Sequence, residues 1–218
     1  MRRHVTLILI WGLYSTFCLS GCATMRQGSY IGPGDERHAR YAAQIHAALD
    51  PIVASSQAPD DEYRIRIYKS PNVNAWSLGR RRLVFTTTLL DLFTHTELTG
   101  VCAHEVAHEL LRHNDKKKIL SLGISSVFQV ANIFVPGAVF ADLIANPLIT
   151  RGYSRAQEVA ADGMAIELMQ KIGYSIDDYV RLLERVSECA GEKKQGGLLD
   201  DHPSIQERIA YIKEKTDG

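Results

Sequence analysis

This sequence predicts a mainly helical α+β fold with a small β-sheet, and three observations carry that reading. Tyr63-Arg64-Ile65-Arg66-Ile67-Tyr68 alternates with the two-residue period of a strand that buries one face. Ala75 to Thr88 reads as a second extended stretch, folded about a turn at Gly79. Around both lie segments with the three- and four-residue apolar spacing of amphipathic helices. The chain has 218 residues, 45% of them hydrophobic, enough for one well-buried domain and too few to expect two. Its 25 Lys and Arg balance 25 Asp and Glu, so no broad basic field draws in nucleic acid. The short runs Arg80-Arg81-Arg82 and Lys116-Lys117-Lys118 read as solvated surface.

From the N-terminus, Met1-Arg2-Arg3-His4 gives a positively charged start, and Val5 to Phe17 is almost wholly apolar. That length and position fit a secretory signal better than a spanning helix. The segment ends in Leu19-Ser20-Gly21-Cys22, which resembles the lipobox of bacterial lipoproteins. The resemblance implies that residues 1–21 are a signal peptide cut before Cys22, and that Cys22 is lipidated. Several acyl chains hold a protein firmly on a bilayer, so membrane attachment through Cys22 is expected. Ala23, not Asp, follows the Cys; by similarity to enterobacterial sorting signals this implies the outer membrane, with the protein facing the periplasm. Two cysteines remain, Cys102 and Cys189, read as separate, mostly buried thiols in a compartment that would permit pairing.

Residues 22–34, with Gly28, Gly32, Pro33 and Gly34, read as a tether, and 35–218 as a single folded domain. A helix is expected from Asp35 to Leu49, with Ala39, Ala42, Ala43, Ile45 and Leu49 on its apolar side. Pro71-Asn72-Val73-Asn74 then breaks the chain between the two extended stretches. Thr94 and Glu97 have capping-box spacing and open the next helix, expected to close on Arg112, His113 and the lysine run. Ile119 to Ile149 is unusually apolar but is interrupted by Gln129, Asn132, Pro136, Gly137 and Asp142. It reads as a helical hairpin that covers the core or rests on a membrane surface. Helices follow at roughly Arg155–Gly173 and Ser175–Ala190, and a last amphipathic one at Ser204–Lys215 after Gly196-Gly197 and Pro203.

The chemistry concentrates in His104-Glu105-Val106-Ala107-His108, inside the capped helix. Residues four apart share a helix face, so His104 and His108 can reach one ion. Glu105 is rotated by about 100 degrees from His104 and can approach a water beside the ion rather than the ion itself. Two imidazoles with a neighbouring carboxylate suit zinc, one ion per chain, with a coordination position left open. A third ligand must come from elsewhere. His113, five residues past His108, is turned about 140 degrees away on a continuous helix and reads as a helix-end cation or a buried polar contact. Glu158, on a helix with small residues that allow close approach, can complete the site. Asp162, one turn on, can accept the remaining N–H of a ligand histidine. On pattern alone an ordinary surface glutamate fits Glu158 equally well.

Further residues resemble a known family. Asn74-Ala75-Trp76, the run Leu83 to Leu90, and HEVAH continued to His113 are similar to the HtpX-like gluzincins, peptidase family M48. This family includes the prenyl proteases and small envelope lipoprotein proteases. Ser154-Arg155-Ala156-Gln157-Glu158-Val159-Ala160-Ala161-Asp162 matches its SRxxExxAD segment, and Asp201-His202-Pro203-Ser204 with Arg208 its late His-Pro motif. The resemblance implies a zincin-type metallopeptidase domain with the sheet beside the HExxH helix. It implies His104, His108 and Glu158 as metal ligands, Glu105 as catalytic base and Asp162 in support. It also implies His202 near the metal, either steadying the oxyanion or filling the open position in a latent state. Ala75-Trp76-Ser77 is the implied strand against which substrate adds. Multispanning family members act within membranes, and this chain lacks their spans, so the lipoprotein branch is the nearer comparison.

The implied activity is zinc-dependent endopeptidase chemistry on protein or peptide substrates, namely exposed or misfolded envelope proteins. Association with envelope assembly machinery is a further expectation. The competing reading is a non-catalytic envelope lipoprotein with a chaperone-like or assembly role, whose zinc only stabilises the fold.

Overall fold

The computed structural model describes residues 29–134, 152–191, 202 and 205–216. Residues 1–21, Cys22, the tether up to residue 28, positions 135–149 of the expected hairpin, and Gly196-Gly197 lie outside the described residues. What is described confirms the mainly helical α+β class: a four-stranded mixed sheet and seven helices among the described residues.

The chain enters as strand β1 (Ser29–Ile31), so three residues expected in the tether are instead paired in the sheet. Helix α1 (Glu36–Ser55) begins at Asp35, whose carboxylate accepts the Arg37 N–H at 2.9 Å. It runs past the expected end at Leu49 and through Pro51. A proline forfeits one helical hydrogen bond, but stopping there would expose Ile52 and Val53, both buried in the core. Strands β2 (Arg64–Lys69), β3 (Ala75–Ser77) and β4 (Arg82–Thr86) follow. The sheet order is β1-β2-β4-β3, with β2 and β4 parallel and the outer pairs antiparallel. Strand β3 therefore lies at an edge.

The turn from β3 to β4 passes through Gly79, Arg80 and Arg81, all at positive φ. Arginine enters this left-handed region only when held there. The Arg81 N–H donates to Glu109 Oε2 at 2.9 Å, and its carbonyl accepts from Arg64 N at 2.8 Å. The extended run expected as far as Thr88 ends at Thr86, where the short helix α2 (Thr87–Leu92) turns Leu89 and Leu90 into the core.

Helix α3 (His95–Leu110) carries the capping box expected from Thr94 and Glu97, with both reciprocal hydrogen bonds present. It is the central element, packed against α1, β3 and the later helices. It stops short of the lysine run. Arg112 adopts φ 57°, and a new helix, α4 (His113–Phe134), starts at the next residue. The lysines thus lie at the start of α4 instead of neutralising the end of α3. No described helix is long and apolar enough to cross a membrane.

Helix α5 (Arg155–Lys171) opens with a second capping box, Ser154 with Gln157. Helices α6 (Ile176–Gly191) and α7 (Ile205–Thr216) complete the described fold near their expected bounds. Gly100 leaves room for α6 to pack against α3: a Cβ there would stand 2.5 Å from Leu182 Cδ2. Cys102 and Cys189 are separate thiols, as expected.

Candidate metal centre

Helix α3 presents His104 and His108 one turn apart, and α5 crosses it with Glu158 in its first turn. His202 reaches the same point from the chain before α7. His104 Nε2 lies 3.0 Å from His108 Nε2 and 3.2 Å from His202 Nδ1. Glu158 Oε2 is 3.4 Å from His104 Nε2, Oε1 is 3.4 Å from His108 Nε2, and Oε1 is 3.1 Å from His202 Nδ1. All four side chains are buried. A tetrahedral ion with ligand bonds of about 2.0–2.1 Å needs ligand atoms about 3.3–3.4 Å apart. The donor set therefore fits one small divalent ion, and three imidazoles with one carboxylate are zinc ligands by type.

Glu105 stands outside this set of four. Its Oε1 is 3.3 Å from His202 Nε2, and its buried Oε2 makes no hydrogen bond among the described residues. The His202 ring thus spans the gap between the converged ligand atoms and the Glu105 carboxylate.

An outer layer of polar groups fixes the inner one. His104 Nδ1 meets the Tyr179 hydroxyl at 2.9 Å and Asp162 Oδ1 at 3.2 Å, and Tyr179 donates to Asp162 at 2.7 Å. Asp162 thus occupies the supporting place expected of it, with Tyr179 beside it. Arg208 is buried between the two carboxylates: Nη1 lies 2.7 Å from Glu158 Oε2, Nε 2.7 Å from Asp162 Oδ2, and Nη2 pairs with Asp162 Oδ1. Burial opposes ionisation of Glu158, yet the His202 charge and the three histidine contacts hold its carboxyl far below the usual range. Burial also opposes a charge on His202, but Glu158 and Glu105 together raise it to about 10. The same two carboxylates favour any cation placed at that point. His108 is pushed down to about 2 by burial and then by the His104 charge, which leaves it the neutral imidazole a metal requires.

Of the residues expected at the site, the structure brings together His104, His108, Glu158, His202, Glu105 and Asp162. Ala75-Trp76-Ser77 forms edge strand β3 beside α3. Glu109 ties the two: its Oε1 accepts from the Ser77 hydroxyl and from Asn114 Nδ2, and its Oε2 from Arg81 N. A cavity of about 280 Å³ opens between the β3–β4 turn and the end of α3, bordered by His108, Glu109, Tyr63, Gly79 and Arg80. His113 is buried and sits 2.8 Å from His108, a polar contact and not a helix-end cation. Sequence reasoning had no residue signal for Tyr179 or Tyr153. Tyr153 immediately precedes the Ser154–Asp162 segment, and that adjacency was the available clue.

Comparison with known proteins agrees with this geometry. The model of peptidase family M48 matches residues 39–216. Metalloprotease YcaL of Escherichia coli K12 is 26% identical over 202 residues, covering 89% of this chain and 76% of YcaL. Metalloprotease LoiP of the same organism is 24% identical over 199 residues, covering 89% of this chain and 77% of LoiP. The mitochondrial metalloendopeptidase OMA1 of Schizosaccharomyces pombe is 27% identical over 173 residues, 78% of this chain and 51% of that protein. Relatives named as proteases leave the non-catalytic reading without support. Because the family match runs from the first helix to the last, the chain belongs to peptidase family M48 and is a zinc-dependent metalloendopeptidase.

Proposed function

We propose that this protease cleaves exposed or misfolded proteins of the bacterial cell envelope, with His104, His108 and Glu158 holding zinc and Glu105 as general base. The observation that carries the site assignment is the convergence of three ring nitrogens and one carboxylate, with the unpaired oxygen of Glu105 beside them. Bound zinc would supply Lewis acidity, polarising a carbonyl and acidifying water. Glu105 takes the proton of the attacking water and delivers it to the leaving amide nitrogen, so no covalent enzyme intermediate is needed. Asp162 and Tyr179 keep the His104 tautomer fixed during this transfer.

His202 Nδ1 stands where a fourth ligand belongs, which favours the latent reading over an oxyanion role. In this reading the ring withdraws to admit water and substrate.

Substrate adds to β3. Thr86 N donates to Asn74 O, and Leu78 N donates to Arg82 O, so the even-numbered residues of this stretch bond to β4. The alternation of an antiparallel ladder then turns the amides and carbonyls of Ala75 and Ser77 to the open edge. An extended peptide pairs there with backbone bonds, and the adjoining cavity takes one of its side chains.

The charged N-terminus, apolar run and Leu19-Ser20-Gly21-Cys22 support an outer-membrane lipoprotein facing the periplasm, acylated on Cys22. Casein digestion with and without chelator, followed by zinc restoration, tests the assignment. Proteolysis that survives complete chelation would overturn it.

A further inference from the structure

The second histidine of the HEVAH segment has a partner that the motif does not supply. His108 directs Nε2 into the metal-binding set, 3.0 Å from His104 Nε2. A neutral imidazole carries one N–H, so a metal on Nε2 obliges that hydrogen to reside on Nδ1. His108 Nδ1 faces His113 Nδ1 at 2.8 Å, with both rings buried. Only one hydrogen fits between two nitrogens at that distance. His113 Nδ1 must therefore be the bare acceptor, with its own hydrogen on Nε2. His104 is served differently, by the oxygens of Tyr179 and Asp162.

An imidazole is the acceptor that this place tolerates. A carboxylate at position 113 would add a fourth negative group to a buried site that already holds Glu105, Glu158 and Asp162. The backbone explains how His113 arrives there. On an unbroken helix, residue 113 would point about 140 degrees away from residue 108. The left-handed Arg112 ends α3 and folds the first turn of α4 back over His108.

That first turn also supports the other side of the ring. Tyr153 stacks on His108 with centroids 3.7 Å apart and planes 17° from parallel. Its hydroxyl donates to Asn114 Oδ1 at 3.1 Å, and Lys117 Nζ sits 3.4 Å from its ring centroid. His113, Asn114 and Lys117 therefore reach His108 at its edge and, through Tyr153, at its face.

We propose that His113 is a positioning residue that accepts the His108 Nδ1–H and so fixes the tautomer and ring plane in which His108 Nε2 meets the metal. This rests on the metal-site assignment above. The test compares wild type with His113→Leu, which fills space without an acceptor, and His113→Asn, which restores an acceptor near the original Nδ1. Zinc affinity is measured by competition with a chromophoric chelator, and kcat and KM on a casein-derived peptide. His113→Leu should weaken zinc binding about tenfold to a hundredfold and lower kcat with little change in KM. His113→Asn should recover part of both losses. Wild-type zinc affinity in His113→Leu, or His113→Asn no better than His113→Leu, would overturn the proposal. Should His113→Leu not fold, two-bond proton–nitrogen spectra of the zinc-loaded wild type decide. His113 as the Nε2–H tautomer supports the assignment, and an Nδ1–H or doubly protonated ring overturns it. A wild type that binds no zinc would instead refute the metal site itself.

Discussion

Arg208 and Asp162 form a two-pronged ion pair wholly inside the protein, Nε to Oδ2 at 2.7 Å and Nη2 to Oδ1. The third guanidinium nitrogen, Nη1, is spent on Glu158 at 2.7 Å. One cation thus offsets two buried carboxylates. Arg208→Leu would strip both of their guanidinium partner and leave them only the histidine and tyrosine contacts, and breaking buried pairs in this way costs about 3–5 kcal/mol. Denaturant unfolding of zinc-free protein should show that loss. Zinc-loaded protein should lose less, because the ion still compensates Glu158. A change no larger than the roughly 0.5 kcal/mol of a surface substitution would contradict the role. The pH dependence has a defined sign. Burial opposes the Asp162 charge, but the His104 and Arg208 contacts win and lower its pKa from 3.8 to about 2. A depressed folded-state value contributes stability that is complete above pH 3.8 and lost as the pH falls towards about 2.

Glu105 and Glu158 should separate catalysis from metal binding. Glu105 lies outside the four converging side chains, so Glu105→Gln should abolish proteolysis and retain one zinc per chain. Glu158→Gln removes the one carboxylate among them and should weaken zinc under a competing chelator. Metal analysis of both purified variants checks this. Zinc lost from Glu105→Gln, or kept unchanged by Glu158→Gln, would reverse the assignments.

The legible parts were those set by local chemistry. The Thr94–Glu97 box, the one-turn spacing of His104 and His108 and the alternation before Tyr68 each depend on a few neighbouring residues. Glu158 and His202 were legible only by family resemblance, since nothing local distinguishes a ligand glutamate from a solvated one. His113 was misplaced because a single left-handed residue, Arg112, resets the helical phase, and no side-chain pattern announces it. Helix α1 overran its expected end because burial of Ile52 and Val53 outweighs the proline rule. Tyr179 enters the site through helix packing across 75 residues of sequence, a distance that periodicity does not reach.

Pairing of substrate with β3 predicts a backbone pattern in the substrate. N-methylation of a cleaved peptide should lower kcat/KM at alternate positions only, where an amide would face Ala75 or Ser77. A net backbone hydrogen bond is worth about 0.5–1.5 kcal/mol, so each sensitive position should cost roughly twofold to tenfold. Equal sensitivity at successive positions would argue against strand addition.

The proposed attachment to the membrane rests on one thiol. Cys22→Ser should block acylation and leave unprocessed precursor, detected by labelled-palmitate incorporation and electrophoretic mobility. Normal palmitate incorporation in that variant would refute the lipobox reading.

His202 decides whether the centre is latched. Its Nδ1 is 3.2 Å from His104 Nε2 and 3.1 Å from Glu158 Oε1, and its Nε2 is 3.3 Å from Glu105 Oε1. A ring so placed takes the coordination position that catalysis must keep open, and also stands against the base. His202→Ala removes both obstructions. Zinc should bind more weakly, since one of four ligand atoms is gone, while proteolysis at saturating zinc should rise. An oxyanion donor would behave in the opposite way: its loss lowers kcat by about a hundredfold to a thousandfold with KM nearly unchanged. Initial rates and zinc affinity measured together separate the two. Weaker zinc with faster turnover establishes the latch, whereas unaltered zinc affinity with slower turnover assigns His202 to the transition state.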